Sequence, residues 1–155
     1  MNCQGPSSSH AAVVSAIKAA FAESTKVMKR QVFDRDSLLE LREHLARIDN
    51  ADIPTWLGIV LLDCLYHPTS ERGELNPFYH VLLFLVPPWT HDDKEWNLAN
   101  PSDEMSNRRW LLRYSTLSPT QARAIVAWLE FFKTLKSCQH EVDLICEAIE
   151  FWNTR

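Results

Sequence analysis

The segment running from Asp52 to Pro68 constrains this chain most. Trp56, Leu57, Ile59, Val60, Leu61, Leu62, Cys64 and Leu65 follow one another with scarcely a polar face at helical spacing. A helix that is apolar on every side has to be surrounded by other elements. The segment therefore predicts a central core helix, through about Tyr66, with the rest of the chain packed around it. Asp52 suits its N-cap, and Pro54 is tolerated in the first turn, where a missing N–H costs nothing. Pro68 ends it.

The flanking sequence supplies further helices with their own punctuation. Behind the cap cluster Ser7–Ser9, the positions Val13, Ile17, Ala20, Phe21 and Ser24 recur at helical spacing and predict one amphipathic helix to about Arg30. Gln31–Arg35 reads as a connector. Ser37 with Glu40 forms a capping-box pattern ahead of Leu38, Leu41, Leu45 and Ile48, a helix that should stop near Asn50. Asn76-Pro77 opens the run Phe78–Val86, where cap chemistry selects a helix although the composition also suits a buried strand. Pro87-Pro88 forbids its continuation. Arg108–Tyr114 reads as a short strand or a single helical turn within a long polar connection. Ser118-Pro119-Thr120-Gln121 is the clearest start signal: a cap, a proline at the first position, and a glutamine to close the box. Ala122, Ile125, Val126, Leu129 and Phe132 follow on one face. Val142, Ile145, Cys146, Ile149 and Trp152 either continue that helix or follow a break near Ser137. The expected architecture is all-α: a compact bundle of five to six helices in one domain over 10–155, with a disordered tail at 1–9.

A chain of 155 residues is long enough to bury about 70% of its unfolded surface as one domain. Its formal charge of −4 weighs against a nucleic acid as ligand, because such binding rests on neutralising phosphates. Three glycines argue against a phosphate-cradling loop. The four cysteines, Cys3, Cys64, Cys138 and Cys146, form no CxxC pair and suit a reducing compartment better than a disulfide framework. No apolar run approaches the roughly 18 residues of a membrane span, and MNCQGPSSSH lacks the basic start and long apolar stretch of a secretory signal. A cytoplasmic protein without membrane contact is expected. A serine-rich start also occurs in bacterial effectors exported by contact-dependent systems, which keeps a secreted effector as an alternative.

Chemistry-bearing residues are present but sparse in pattern. Cys64 and His67, three apart on a predicted helix, could join His91 in a zinc site, with His80, Asp92 and Asp93 as further donors. Their spacing matches no metal-binding signature. A cysteine nucleophile would need a stabilised thiolate in a partly exposed cleft; Cys64 lies in the most apolar helix, and Cys138 beside His140 is better placed. No G-x-S-x-G elbow, P-loop, HExxH, GxGxxG or EF-hand occurs. A small zinc- or cysteine-dependent hydrolase is thus the alternative reading; no catalytic residue and no cofactor is expected in the leading one.

The stretch PPWTHDDKEW at 87–96 concentrates polar and aromatic side chains. Trp89 and Trp96 either fold back as a lid over the bundle or project as anchors, with Asp92, Asp93 and Glu95 as an acidic rim. Behind it the charge changes sign: Arg108, Arg109, Arg113, Arg123, Lys133 and Lys136 stand against Glu130. Six tryptophans and this long polar loop point to a non-enzymatic module that binds another protein. Its candidate contact residues are Trp89, His91, Asp92, Asp93, Glu95, Trp96, Arg108 and Arg109. An immunity or antitoxin-like inhibitor is one form such a module takes.

The stretches NPFYHVLLFLVPPW and RWLLRYSTLSPTQARAIVAWLEFF, with Ala16-Ile17-Lys18-Ala19-Ala20-Phe21 near the start, resemble a family of small, mainly helical bacterial proteins of unknown function. The resemblance covers about two-thirds of the chain and consists mostly of helix punctuation. It departs from that pattern at Leu85-Val86-Pro87-Pro88, where a leucine-threonine-proline turn would be expected. It implies a bacterial, single-domain, mainly helical protein and no particular chemistry.

Overall fold

The computed structural model describes residues 9–30, 48–67, 77–88 and 104–155. These form an all-α fold of seven helices: α1 (His10–Ala20), α2 (Ala22–Arg30), α3 (Ile53–Tyr66), α4 (Pro77–Leu85), α5 (Glu104–Tyr114), α6 (Pro119–Lys133) and α7 (Val142–Asn153). Short 3-10 turns, Asn50–Asp52 and Lys136–Glu141, lead into α3 and α7. No strand occurs among the described residues, and no helix among them is long and apolar enough to cross a membrane. The expected helix over Ser37–Asn50 lies largely outside the described residues.

The apolar segment is the core helix, as its pattern requires. Ile53 and every residue from Leu57 to Leu65 are buried. Helices α1, α2 and α4 pack against α3, and Trp128 of α6 reaches it with a hydrogen bond from its indole Nε1 to the Leu61 carbonyl at 3.0 Å. Helix α6 in turn lies between α1 and α7. Phe78 of α4 stacks on Trp128 and Phe132 with centroids 5.3 and 4.5 Å apart. Each fully buried leucine or isoleucine of α3 contributes about 1.5–3 kcal/mol of transfer free energy, which makes this helix the chief organiser of the bundle. Asp52 does occupy its N-cap position, but the preceding 3-10 turn leaves the side chain without a capping bond.

The single helix expected over 10–30 is two. Ser9 caps α1, its hydroxyl accepting the Ala12 N–H at 3.2 Å, and the chain then bends at Phe21, which leaves helical geometry at φ −115°, ψ 57°. Neither proline nor glycine stands at the bend; the cause lies across the interface. Gly58 opens a recess on α3 that receives Phe21 and Ser24, and the Ser24 hydroxyl donates to the carbonyls of Pro54 (3.3 Å) and Thr55. The bend lets both α1 and α2 lie against α3.

The region after Ser118 follows its punctuation. The Ser118 hydroxyl accepts the Gln121 N–H at 3.1 Å, and the Gln121 side-chain oxygen accepts the Ser118 N–H at 2.9 Å, a complete capping box. Helix α6 ends at Lys133, so the alternative of one long C-terminal helix is replaced by a break spanning Ser137.

Candidate functional site

Arg108–Tyr114 is neither a strand nor a single turn but the greater part of α5. Its inward face explains why. The tandem prolines after α4 remove the N–H groups that would have served the last carbonyls of that helix: Phe84 has only Pro87 and Pro88 at the positions from which a donor would come. Two side chains four residues apart on α5 take their place. The Trp110 indole donates to the Phe84 carbonyl at 3.3 Å and the Tyr114 hydroxyl at 2.5 Å. Trp152 of α7 donates to the neighbouring Leu85 carbonyl at 3.0 Å. Trp110, Tyr114, Phe151 and Trp152 then pack around this point, Trp110 tilted against Tyr114 and the Trp110–Phe151, Tyr114–Trp152 and Phe151–Trp152 pairs edge-to-face. Burial pushes the Tyr114 hydroxyl well above the usual tyrosine range, with the neighbouring Arg113 opposing in part. Arg113 itself turns aside and donates to the Ile48 carbonyl at 2.9 Å.

With the aromatic pair facing inward, α5 presents a different stripe outward: Arg108, Leu111, Leu112 and Ser115, spaced i, i+3, i+4, i+7. These four residues and Arg155 line an open groove of about 430 Å³. Leu111 is 36% and Leu112 61% exposed; with Tyr66 they are the exposed large apolar side chains among the described residues. The Ser115 hydroxyl is turned back onto the Leu112 carbonyl at 2.8 Å, which leaves the floor of the groove apolar. Arg155 rests its guanidinium on the Phe151 ring, 4.8 Å from the centroid. Arg109 is exposed on the same helix. The arrangement offers an apolar strip to which Arg108 and Arg155 contribute. Among these lining residues there is no histidine, cysteine or acidic side chain, and the Ser115 hydroxyl is bonded to backbone.

Of the residues singled out in the sequence, Arg108 stands on this helical face and Arg109, exposed on the same helix, does not line the groove. Trp89, His91, Asp92, Asp93, Glu95 and Trp96 lie outside the described residues. Cys64 is buried at 1% exposure, whereas His67, the residue that closes α3, is exposed. Cys138 is buried and His140 exposed. No group of three or more His, Cys, Asp and Glu side chains that could hold a metal ion occurs among the described residues. Leu111, Leu112, Ser115 and Arg155 were not among the sequence candidates. The signal for the first three was the i, i+3, i+4, i+7 spacing from Arg108, readable only once the segment is known to be helical; Arg155 had none.

The chain matches no family model, no curated protein and no solved structure.

Proposed function

We propose that this protein is a non-enzymatic module that binds another protein in the cytoplasm, and that the outward face of α5 belongs to its contact surface. The observation that carries this reading is the side-by-side exposure of Leu111 and Leu112 in a groove edged by Arg108 and Arg155. Apolar side chains left in water beside polar rims mark surfaces that become covered. Arginine at the edge of an apolar strip is also among the side chains enriched where proteins meet. The burial of Cys64, Cys138 and Cys146 fits inert thiols rather than nucleophiles.

A comparative pull-down from the source cell's lysate tests the reading, with three baits: wild type, Leu112→Glu, and Trp89→Ala/Trp96→Ala. Both variants are first checked by thermal melting. One protein retained by the wild type and lost with Leu112→Glu supports α5 as the contact surface. Loss only with the tryptophan variant moves the contact to residues 87–96, and equal retention by all three baits sinks both assignments.

A further inference from the structure

Helix α2 is held to the bundle differently from its neighbours. Val13 and Ile17 anchor α1 in the core, and α6 is buried along one face from Ala122 to Phe132. On α2 the buried residue is Ser24, a polar one, with Met28 partly covered against the core. Glu23 and Lys26 pair with each other in solvent at 2.9 Å. The Thr25 Oγ1 is buried without a hydrogen-bond partner among the described residues. What fastens α2 to α3 is therefore chiefly the Ser24 hydroxyl, whose proton faces the carbonyls of Pro54 and Thr55. Such a bond adds little net stability, because water takes its place when it breaks. Opening would also return the Thr25 hydroxyl to water.

The chain is built to part at one point. Phe21 leaves helical geometry, so the hydrogen-bond ladder of α1 does not run on into α2. The Ala20 carbonyl at the end of α1 accepts from Gln121 Nε2 at 3.2 Å, which keeps that end closed without help from α2. A helix of nine residues is shorter than the roughly 12–15 needed to stand even marginally alone in water. Once undocked, α2 unravels.

We propose that α2 is a strap over the Gly58 recess of α3, opening and unravelling as a unit beyond Phe21 while α1, α3 and α6 stay folded. Opening bares the recess and the Pro54 and Thr55 carbonyls. Access to the first half of the core helix is then governed by a local event and not by global unfolding.

Hydrogen exchange on the whole chain, followed amide by amide by NMR, tests the strap. The amides of Lys26–Arg30 are expected to be about a hundredfold less protected than those of α3, α6 and the last turn of α1. Their exchange should change little as urea rises below the unfolding transition, because local opening exposes little surface. Ser24→Ala should lower their protection about fivefold. Thr25→Val, which removes the unbonded hydroxyl at nearly constant volume, should raise it by a similar factor. Protection and urea dependence equal to those of α3 overturn the proposal, since α2 then opens only with the whole fold. Exchange that answers to neither substitution overturns it as well, because fraying with Ser24 still docked would behave that way. Loss of protection in Ile17–Ala20 in step with α2 overturns the break at Phe21 and the strap with it.

Discussion

Ser24 fills the recess above Gly58 so closely that a Cβ at residue 58 would stand 2.8 Å from the Ser24 Cβ and nearer still to its hydroxyl oxygen. The Phe21 Cβ would be 2.6 Å away. Three features follow from this single contact: the bend at Phe21, the approach of α2 to α3, and the hydrogen bonds from Ser24 to the first turn of α3.

Gly58→Ala therefore has an informative sign. In an open helix interior the exchange would stabilise by about 1 kcal/mol, since alanine is the better helix former. Here the added methyl has to push α2 away, and overpacking costs about 1–3 kcal/mol. Urea unfolding should show a lower midpoint with an unchanged slope. A midpoint above wild type would mean that α2 does not sit where it is described.

Gln121 serves two helices at once. Its oxygen closes the capping box of α6, and its Nε2 donates to the Ala20 carbonyl at the end of α1, 3.2 Å away and 101 residues back in the chain. Gln121→Glu keeps the box but puts a carboxylate where the donor stood, opposite a carbonyl. The expected loss at neutral pH is about 1–2 kcal/mol, measured by thermal or urea unfolding. A neutral result would show that the capping box is all this residue supplies.

Trp110 and Tyr114 share one acceptor, the Phe84 carbonyl. Tyr114→Phe alone should cost about 1 kcal/mol, because the indole still serves that oxygen. With Trp110→Phe added, the carbonyl at the proline-terminated end of α4 has lost both of these donors. The pair should then cost more than the sum of the singles by at least about 0.5 kcal/mol. A strictly additive double-mutant cycle would count against a shared acceptor.

Alkali should unfold the protein partly through Tyr114. Burial raises the pKa of its hydroxyl in the folded state, whereas the unfolded chain ionises at about pH 10. The unfolded state then loses a proton that the folded state keeps. Stability is thus intact below about pH 10 and falls by up to about 1.4 kcal/mol per pH unit until the raised folded-state pKa is passed. The tyrosinate absorbance difference between wild type and Tyr114→Phe should appear in step with loss of helical circular dichroism. Its appearance while the helices remain intact would place this hydroxyl in contact with solvent.

The thiols of Cys64, Cys138 and Cys146 are buried, at 1%, 0% and 3% exposure. Ellman's reagent should reach them only as the fold opens, with rates that follow global stability as urea is raised. Rapid modification of Cys64 in the native protein would revive a cysteine-based activity.

The sequence disclosed those features that depend on one segment alone. Trp56–Leu65 could be read as a central helix because its burial is written into its own periodicity, and Ser118–Gln121 because a capping box is a local motif. The bend at Phe21 could not, since its cause is a missing side chain at Gly58 on another helix. Helix α5 was obscured for a similar reason: Arg108, Arg109 and Arg113 dilute its pattern, and the partner of its Trp110–Tyr114 pair is a carbonyl exposed by prolines far upstream. The groove inherits that difficulty, because Leu111 and Leu112 become a surface strip only after the aromatic pair has fixed the helix's rotation. The PPWTHDDKEW stretch, the strongest cue in the sequence, lies mostly outside the described residues.

The dependence of early helix ends on late side chains also bears on synthesis. The Leu65 carbonyl is met by His10, already made when α3 appears, but Ala20 waits for Gln121 and Leu85 for Trp152. At a translation rate of about 5–20 residues per second, the ribosome holds the first two-thirds of this chain for several seconds with those acceptors open to water or to chaperones. Helices α1 and α4 can form in that interval, but these carbonyls at their C-terminal ends meet their donors only when Gln121 and then Trp152 have emerged.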